Sequence, residues 1–314
     1  MRLPHIIEVK SELGAGTRGA SLGIAALEMA AIEKGLTLFD DLPIVRVEDE
    51  NDWLLEKPET PSAKYVEGIA LMYKRIAEAV KSITLQGGIP LVLSGDHSNA
   101  GGTIAGIKLA QPDKRLGVIW IDAHADLHSP YTSPSGNVHG MPLATALGAD
   151  HLHLKKRDPE AEAIKYWEEM KNLGGICPKI QDTDLVFMCV RDTEDEEDAF
   201  IADKSILNIT TDNIRAMGIV NACIKAINQL SDCDSIYISF DVDSMDSSFS
   251  SGTGTPVPGG ITPNEANAIL LHLISLAGGK FAGIEFTEVN PLLDKENTMA
   301  KNAVDLVNSV VNAL

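Results

Sequence analysis

Short, continuous apolar segments recur along this chain and place the strongest constraint on its fold. A strand that is apolar at consecutive positions, rather than at alternate ones, is buried on both faces, and such strands form parallel sheets covered by helices. Six segments have this character: LPIVRVED (42–49), IPLVLSGDH (89–97), LGVIWIDAHAD (116–126), DLVFMCVRD (184–192), SIYISFDVD (235–243) and FAGIEFTEVNP (281–291).

The segments between these predicted strands have the periodicity of helices. In residues 65–83, 262–276 and 297–314, apolar side chains recur at the spacing that places them on one helix face. Strand and helix therefore alternate along most of the chain. This alternation predicts a single α/β domain over residues 1–314, with helices on both faces of the sheet.

Composition argues against several classes of protein. A chain of 314 residues can bury an ample core without crosslinks. Its four cysteines are scattered with no CxxC pair, which predicts reduced thiols in or near the core of a cytoplasmic protein. The net charge of −19 argues against nucleic acid as a partner, because phosphate binding needs clustered Lys and Arg. No segment approaches the length of a membrane span, so we expect no membrane partner.

Ionisable residues follow the predicted strand VIWI. They are Asp122, His124 and Asp126, at every second position, so an extended chain would direct their side chains to one side. Two carboxylates and an imidazole in so small a space need protons, partners or a metal ion, because like charges repel and burial penalises charge. A bound cation would remove this conflict.

Two further strand ends carry ligands of the same kind. His97 lies in LSGDHSN, and Asp241 and Asp243 lie in SFDVDSMD. Because ligands gather at the carboxyl ends of parallel strands, we expect all six residues to share one site. They exceed the needs of one ion, and an oxygen-rich set with some imidazole suits Mn²⁺ better than Zn²⁺. Bridging carboxylates would hold two ions about 3.5 Å apart, with a shared water ionised to hydroxide near neutral pH.

Each motif has a simpler interpretation when it is taken alone. A single DxH or DxD is common at helix caps and strand ends, and structural ion-pair networks also bring carboxylates and histidines together. The occurrence of both motifs, each at the end of a buried run and accompanied by a GDH, favours a binuclear site. His5, His151, His153 and His272 have no such neighbours, so we assign them surface or core positions.

Five motifs between residues 95 and 291 resemble the ureohydrolase superfamily, and the arginase family within it. They are GDHS, DAHADLHSP, SGNVHGMP, SFDVDSMDSSFSSGTGTPVPGG and EVNP, in the family's order. The resemblance implies a three-layer α/β/α fold around an eight-stranded, mainly parallel sheet. It also implies two Mn²⁺ ions per subunit, one held by His97, Asp122, Asp126 and Asp241, and the other by Asp122, His124, Asp241 and Asp243.

The same resemblance implies roles for residues around the metal ions. Asp126 would accept a hydrogen bond from the bridging water and then pass its proton on, and His139 would complete proton delivery to the departing amine. Glu288 would face the guanidinium of the substrate. The residues expected to contact the substrate are His128, Ser135, Asn137, Glu194, Glu197 and Thr255. Because a guanidinium carbon is a poor electrophile, attack needs a strong nucleophile held close and a stabilised tetrahedral intermediate. The products would be urea and an amine.

The substrate that the resemblance implies is L-arginine. The segment SPSGNVHG matches the arginase pattern in which Ser135 and Asn137 bind the α-carboxylate. Two positions depart from that pattern: His128 stands where asparagine is usual, and Glu194 stands where an aspartate usually meets the α-amino group. Agmatine, 4-guanidinobutyrate and formimidoylglutamate therefore stay open as alternative substrates.

Two other classes of protein compete with this interpretation. A deacetylase-like hydrolase uses a single zinc ion and would not need His97 and Asp126 as additional ligands. A non-catalytic module would have a closed metal site, with no need for His139 and Glu288 beside it. Because the resembling family forms trimers and hexamers, we expect a homo-oligomer of one of these kinds.

Overall fold

Eight parallel strands form one sheet in the computed structural model, which describes residues 2–249 and 251–314. The strands are β1 (Pro4–Val9), β2 (Ile44–Val47), β3 (Ile89–Ser94), β4 (Leu116–Ile121), β5 (Leu185–Met188), β6 (Leu207–Ile209), β7 (Ser235–Asp241) and β8 (Phe281–Thr287). Their order across the sheet is β2-β1-β3-β8-β7-β4-β5-β6, and each of these pairings is parallel. The prediction of an eight-stranded, mainly parallel sheet is confirmed.

Helices connect the strands. They are α1 (Gly23–Lys34), α2 (Leu38–Asp41), α3 (Val66–Leu85), α4 (Ala100–Ala110), α5 (Pro142–Leu147), α6 (Ala161–Lys171), α7 (Asp195–Lys204), α8 (Thr211–Met217), α9 (Ile219–Gln229), α10 (Pro263–Ala277) and α11 (Thr298–Ala313). The three helices predicted from periodicity correspond to α3, α10 and α11. Within the described residues, none of the helices combines the length and apolar character that crossing a bilayer requires.

Two hydrophobic cores lie on opposite faces of the sheet. Val118 and Trp120 of β4 belong to one core, and Ile119 and Ile121 of the same strand belong to the other. All four side chains are completely buried. Because successive strand residues point to opposite faces, helices must cover both sides, and the three-layer prediction is confirmed.

The apolar pattern did not identify two strands, β1 and β6. Polar side chains interrupt β1, and its Glu8 is buried with an oxygen 3.0 Å from Nε of Arg46 on β2. Arg46 comes close to Glu8 only when β1 and β2 pair. Strand β6 contains three residues, which is too short for a periodic signal.

The cysteines differ from the expectation at one position. Cys189, Cys223 and Cys233 are buried, but Cys177 is exposed, and all four are free thiols. Burial raises the pKa of the Cys189 thiol to about 12, so this group stays protonated. Since a thiolate is the form that binds metal ions or attacks a substrate, Cys189 is unsuited to either task.

Close packing at the end of β3 leads to a stability prediction. A Cβ atom at Gly95 would lie 2.2 Å from the backbone oxygen of Ser11, whereas a Cβ atom at Gly279 would enter open space among the described residues. We expect Gly95→Ala to lower the free energy of unfolding by about 2 kcal/mol, because backbone must move to relieve the overlap. Chemical denaturation measures this change, and Gly279→Ala is the matched control. Equal stability of the two variants would contradict the packing described.

Candidate metal centre

The candidate metal centre lies where four adjacent strands of the sheet end. Strands β3, β8, β7 and β4 are neighbours, and all are parallel, so their carboxyl ends meet at one edge. The loops after β3, β4 and β7, together with Asp241 at the end of β7, supply the six predicted ligands. Five of these side chains are buried and His124 is about one quarter exposed (23%).

The loop after β4 has a different geometry from the one expected. The strand ends at Ile121, so Asp122, His124 and Asp126 do not alternate along an extended strand. Instead, the Asp122 carboxylate accepts a hydrogen bond from the backbone N–H of His124 at 2.8 Å. Asp126 has a left-handed backbone with φ of 51°. A compact turn, rather than the period of a strand, directs these side chains to one place.

The first group of ligands surrounds His97. Its Nδ1 atom lies 3.0 Å from Asp122, 3.1 Å from Asp126 and 3.2 Å from Asp241, in each case from Oδ2. The Nε2 atom lies 2.8 Å from the hydroxyl oxygen of Ser239. A proton on Nε2 would leave the Nδ1 lone pair directed at the three carboxylates, which is the usual arrangement of a metal-binding imidazole.

The second group of ligands surrounds His124 and shares Asp122 with the first. Nδ1 of His124 lies 3.1 Å from Oδ2 of Asp243 and 3.5 Å from Oδ1 of Asp122. Asp243 is held in place through its other oxygen, which accepts a hydrogen bond from the backbone N–H of Ala123 at 3.1 Å. Asp122 is therefore a member of both ligand groups.

Unpaired buried atoms show that the ligands fit cations. Among the described residues, Nδ1 of His97 and Oδ2 of Asp122 have no hydrogen-bond partner, although they are 3.0 Å apart. Burial and, after it, neighbouring carboxylates raise the pKa values of Asp241 and Asp243, as expected where like charges crowd together away from water. Two groups of nitrogen and oxygen donors, without sulfur, suit a pair of hard or borderline divalent ions.

Three titratable side chains have shifted pKa values: the predicted ligand Asp126, and His139 and Glu288 beside the ligand groups. Burial and the charge of Asp122 raise the pKa of Asp126 to about 6. Burial lowers the pKa of His139, but the neighbouring Glu288 outweighs this effect and raises the pKa to about 9. Nδ1 of His139 lies 3.3 Å from Oε1 of Glu288. Burial disfavours the Glu288 carboxylate, but the same contact lowers its pKa.

Glu288 also adopts a constrained backbone at the end of β8. Its φ is 68°, in a region that few non-glycine residues occupy. Its N–H donates to the carbonyl of Gly95 at 3.0 Å, and its carboxylate accepts from the N–H of His97 at 2.9 Å. These bonds hold the carboxylate between the metal ligands and His139.

The residues expected to contact the substrate line one cavity of about 310 Å³ together with most of the metal ligands. Thr255 donates its hydroxyl hydrogen to Asp243 at 3.0 Å. Ser135 accepts from the N–H of Asn137 at 3.1 Å, in the loop before His139. His128 lies with its Nε2 3.0 Å from Glu194. All six residues expected to contact the substrate line this cavity: His128, Ser135, Asn137, Glu194, Glu197 and Thr255.

Sequence reasoning missed three residues at this site. Ser239 precedes Asp241 by two positions on β7, so the period of the strand could have indicated that both point to the same face. Asp192 lines the cavity, with its Oδ2 3.6 Å from Nε2 of His124. Lys64 donates to the side-chain oxygen of Asn137 at 2.9 Å, across 73 positions of sequence, and no local motif signals this contact.

Known proteins match the chain over nearly its whole length. The Arginase family model matches residues 5–312. The arginase of Brevibacillus brevis is 36% identical over 310 residues, which cover 97% of this chain and 96% of that protein. The arginase of Bacillus subtilis is 34% identical over 313 residues, with coverage of 98% and 96%. The structure of native arginase from Bacillus caldovelox superposes with a TM-score of 0.84 at 33% identity, covering 99% and 98% of the two chains. The chain therefore belongs to the arginase family.

Proposed function

We propose that this chain hydrolyses the guanidino group of L-arginine to L-ornithine and urea, using two Mn²⁺ ions. As a member of the arginase family it is a hydrolase that acts on guanidino carbon–nitrogen bonds. The observation that carries the finer proposal is the pair of ligand groups that share Asp122 at the floor of a cavity. A single-zinc hydrolase needs only one such group.

The metal ions would be held by His97, Asp122, Asp126 and Asp241 on one side and by Asp122, His124, Asp241 and Asp243 on the other. When bound, a pair of divalent cations supplies an ionised water near neutral pH as the nucleophile. Oxygen donors outnumber nitrogen donors in this set, which favours Mn²⁺ over Zn²⁺.

Three side chains of the protein would move or hold protons and charge. Asp126, whose carboxylate belongs to the first ligand group and lines the cavity, is suited to accept a proton from the attacking water and to pass it on. His139, with a pKa near 9, keeps a proton at neutral pH that it can donate to the departing amine. Glu288 stays ionised and can hold the positively charged guanidinium over the metal ions.

The other end of the cavity offers partners for an amino acid. Ser135 and Asn137 lie on its rim and can donate hydrogen bonds to an α-carboxylate. Glu194 and Glu197 offer carboxylates to an α-ammonium group. A polar site of this kind discriminates strongly against analogues that leave its groups without partners.

One observation favours 4-guanidinobutyrate as a second candidate substrate. His128 already lies 3.0 Å from Glu194 and can neutralise the carboxylate that an α-ammonium group would otherwise contact. A substrate without an amino group would leave this pair undisturbed, whereas L-arginine must share Glu194 with His128.

Metal dependence tests the binuclear proposal. We expect a chelator to abolish urea release and Mn²⁺ to restore it more fully than Zn²⁺, because the ligands are mainly oxygen. Asp126→Ala should retain fewer metal ions than the two proposed and lose most of kcat. Elemental analysis of the purified protein measures the metal content. One tightly bound zinc ion per chain at full activity would contradict the proposal.

Replacement of His139 tests its proposed role as a proton donor. His139→Asn should lower kcat by about 10²-fold, the usual effect of removing a general acid or base. Metal content should stay the same, since His139 belongs to neither ligand group. His153→Asn is the control, because His153 is exposed and lies outside the cavity lining. If both variants retain full kcat, His139 has a structural role only.

A comparison of substrates tests the assignment of L-arginine. We expect kcat/KM to be higher for L-arginine than for agmatine or 4-guanidinobutyrate. Ser135→Ala should lower kcat/KM for L-arginine by about tenfold and leave agmatine turnover unaffected, because agmatine has no α-carboxylate. Ser275→Ala, an exposed serine on α10, is the control. A higher kcat/KM for agmatine or 4-guanidinobutyrate than for L-arginine would refute the arginine assignment but not the ureohydrolase activity.

A further inference from the structure

A third group of metal-binding side chains lies in the same cavity and shares no residue with the first two. It consists of His128, Glu194 and Glu197, each of which offers one donor atom within 4.8 Å of the others. Nε2 of His128 lies 3.0 Å from Oε2 of Glu194 and 3.8 Å from Oε2 of Glu197. The two ligand groups at the strand ends can therefore be filled without using any of these atoms.

Hydrogen bonds with residues outside the group hold His128 and Glu197 in position, and a bond within the group also holds Glu197. Nδ1 of His128 lies 3.1 Å from the hydroxyl oxygen of Thr132. Glu197 is 3% exposed, and its two oxygens accept from the backbone N–H groups of Leu127 at 3.0 Å and Glu194 at 3.2 Å. If the proton of His128 resides on Nδ1 and is donated to Thr132, the lone pair of Nε2 faces both carboxylates.

The arrangement has the chemistry of a binding site for a borderline divalent cation. The donor atoms are of the same kinds as at the strand ends, but only three residues supply them here, compared with four for each proposed manganese ion. Zn²⁺ accepts three protein ligands with water in the fourth position, so the smaller ligand number favours Zn²⁺ at this group. Glu194 is about half exposed, so the cavity admits both an ion and that water. A cation would also relieve the repulsion between two adjacent carboxylates, of which Glu197 is almost fully buried.

We propose that His128, Glu194 and Glu197 form a third, inhibitory cation site that takes Zn²⁺ in competition with the α-ammonium group of the substrate. Binding of the ion rests on the geometry of these three residues alone. Competition with substrate rests on the proposed function, in which the same carboxylates contact the amino acid. His128 is the decisive residue, because asparagine, the usual residue at this position in the resembling family, offers no imidazole nitrogen.

Equilibrium dialysis of the manganese-loaded enzyme against Zn²⁺ tests the binding. Manganese and zinc are counted separately per chain by elemental analysis. We expect one equivalent of zinc to be gained while the manganese is retained. If zinc only replaces manganese, so that the total metal per chain does not increase, the proposal is overturned.

Two variants locate the added ion. His128→Asn and Glu194→Gln should each lose the additional zinc while keeping the manganese. Glutamine at position 194 can still accept the hydrogen bond that caps α7, so this variant retains the helix start. Asp195→Asn removes a neighbouring negative charge outside the group and should keep the zinc. Retention of the added zinc in both His128→Asn and Glu194→Gln would overturn the assignment.

Kinetics test the competition. Zn²⁺ should raise KM for L-arginine without lowering kcat in the parent enzyme. In His128→Asn, the KM measured with Zn²⁺ should equal the KM measured without it. An unchanged KM in the presence of bound zinc would overturn the competitive role. If L-arginine is not a substrate at all, the proposed function fails, whereas the dialysis result stands or falls independently of it.

Discussion

The mutual repulsion of buried aspartates at one edge of the sheet is the constraint on which the rest of the site depends. Asp122, Asp126, Asp241 and Asp243 are all buried, and the side chains come from loops after adjacent strands. Charges so close together in a medium of low polarity are costly unless protons or cations neutralise them. The fold therefore concentrates negative charge at the floor of the cavity, and the two histidines there can neutralise only part of it.

The surrounding backbone keeps this cluster from relaxing. Asp122 and Asp241 each use one oxygen to accept an N–H two residues further along the chain, at 2.8 Å in both cases. Glu288 is held by Gly95 and His97 in a backbone conformation with φ of 68°. Strained, over-determined positions of this kind are frequent at functional sites, because preorganised groups need little rearrangement when charge develops. The rigidity comes from the buried sheet, whose two hydrophobic cores exclude water beneath the ligands.

Charge balance also governs the outer end of the cavity. There, Glu194 and Glu197 face His128 rather than the asparagine usual in the resembling family, and the imidazole lies within hydrogen-bonding distance of Glu194. An α-ammonium group, a proton on His128 and a divalent cation are thus alternative ways to neutralise the same carboxylates. The proposed α-ammonium contact and the proposed zinc site therefore use the same carboxylates, and each would depend on which positive charge occupies this region.

The sequence by itself determined the class of fold and predicted six candidate metal ligands. Consecutive apolar residues require a strand buried on both faces, and carboxyl ends of parallel strands meet, so His97, Asp122 and Asp241 could be placed at one edge before any coordinates were known. Only the tertiary structure decided how the side chains converge: β4 stops at Ile121, and a turn directs the aspartates inward. It alone revealed contacts distant in sequence, such as Lys64 with Asn137, because such pairs have no local signal. Strands β1 and β6 likewise became apparent only from their pairing with neighbouring strands. The residues of β1 are too polar, and those of β6 too few, to indicate a buried strand.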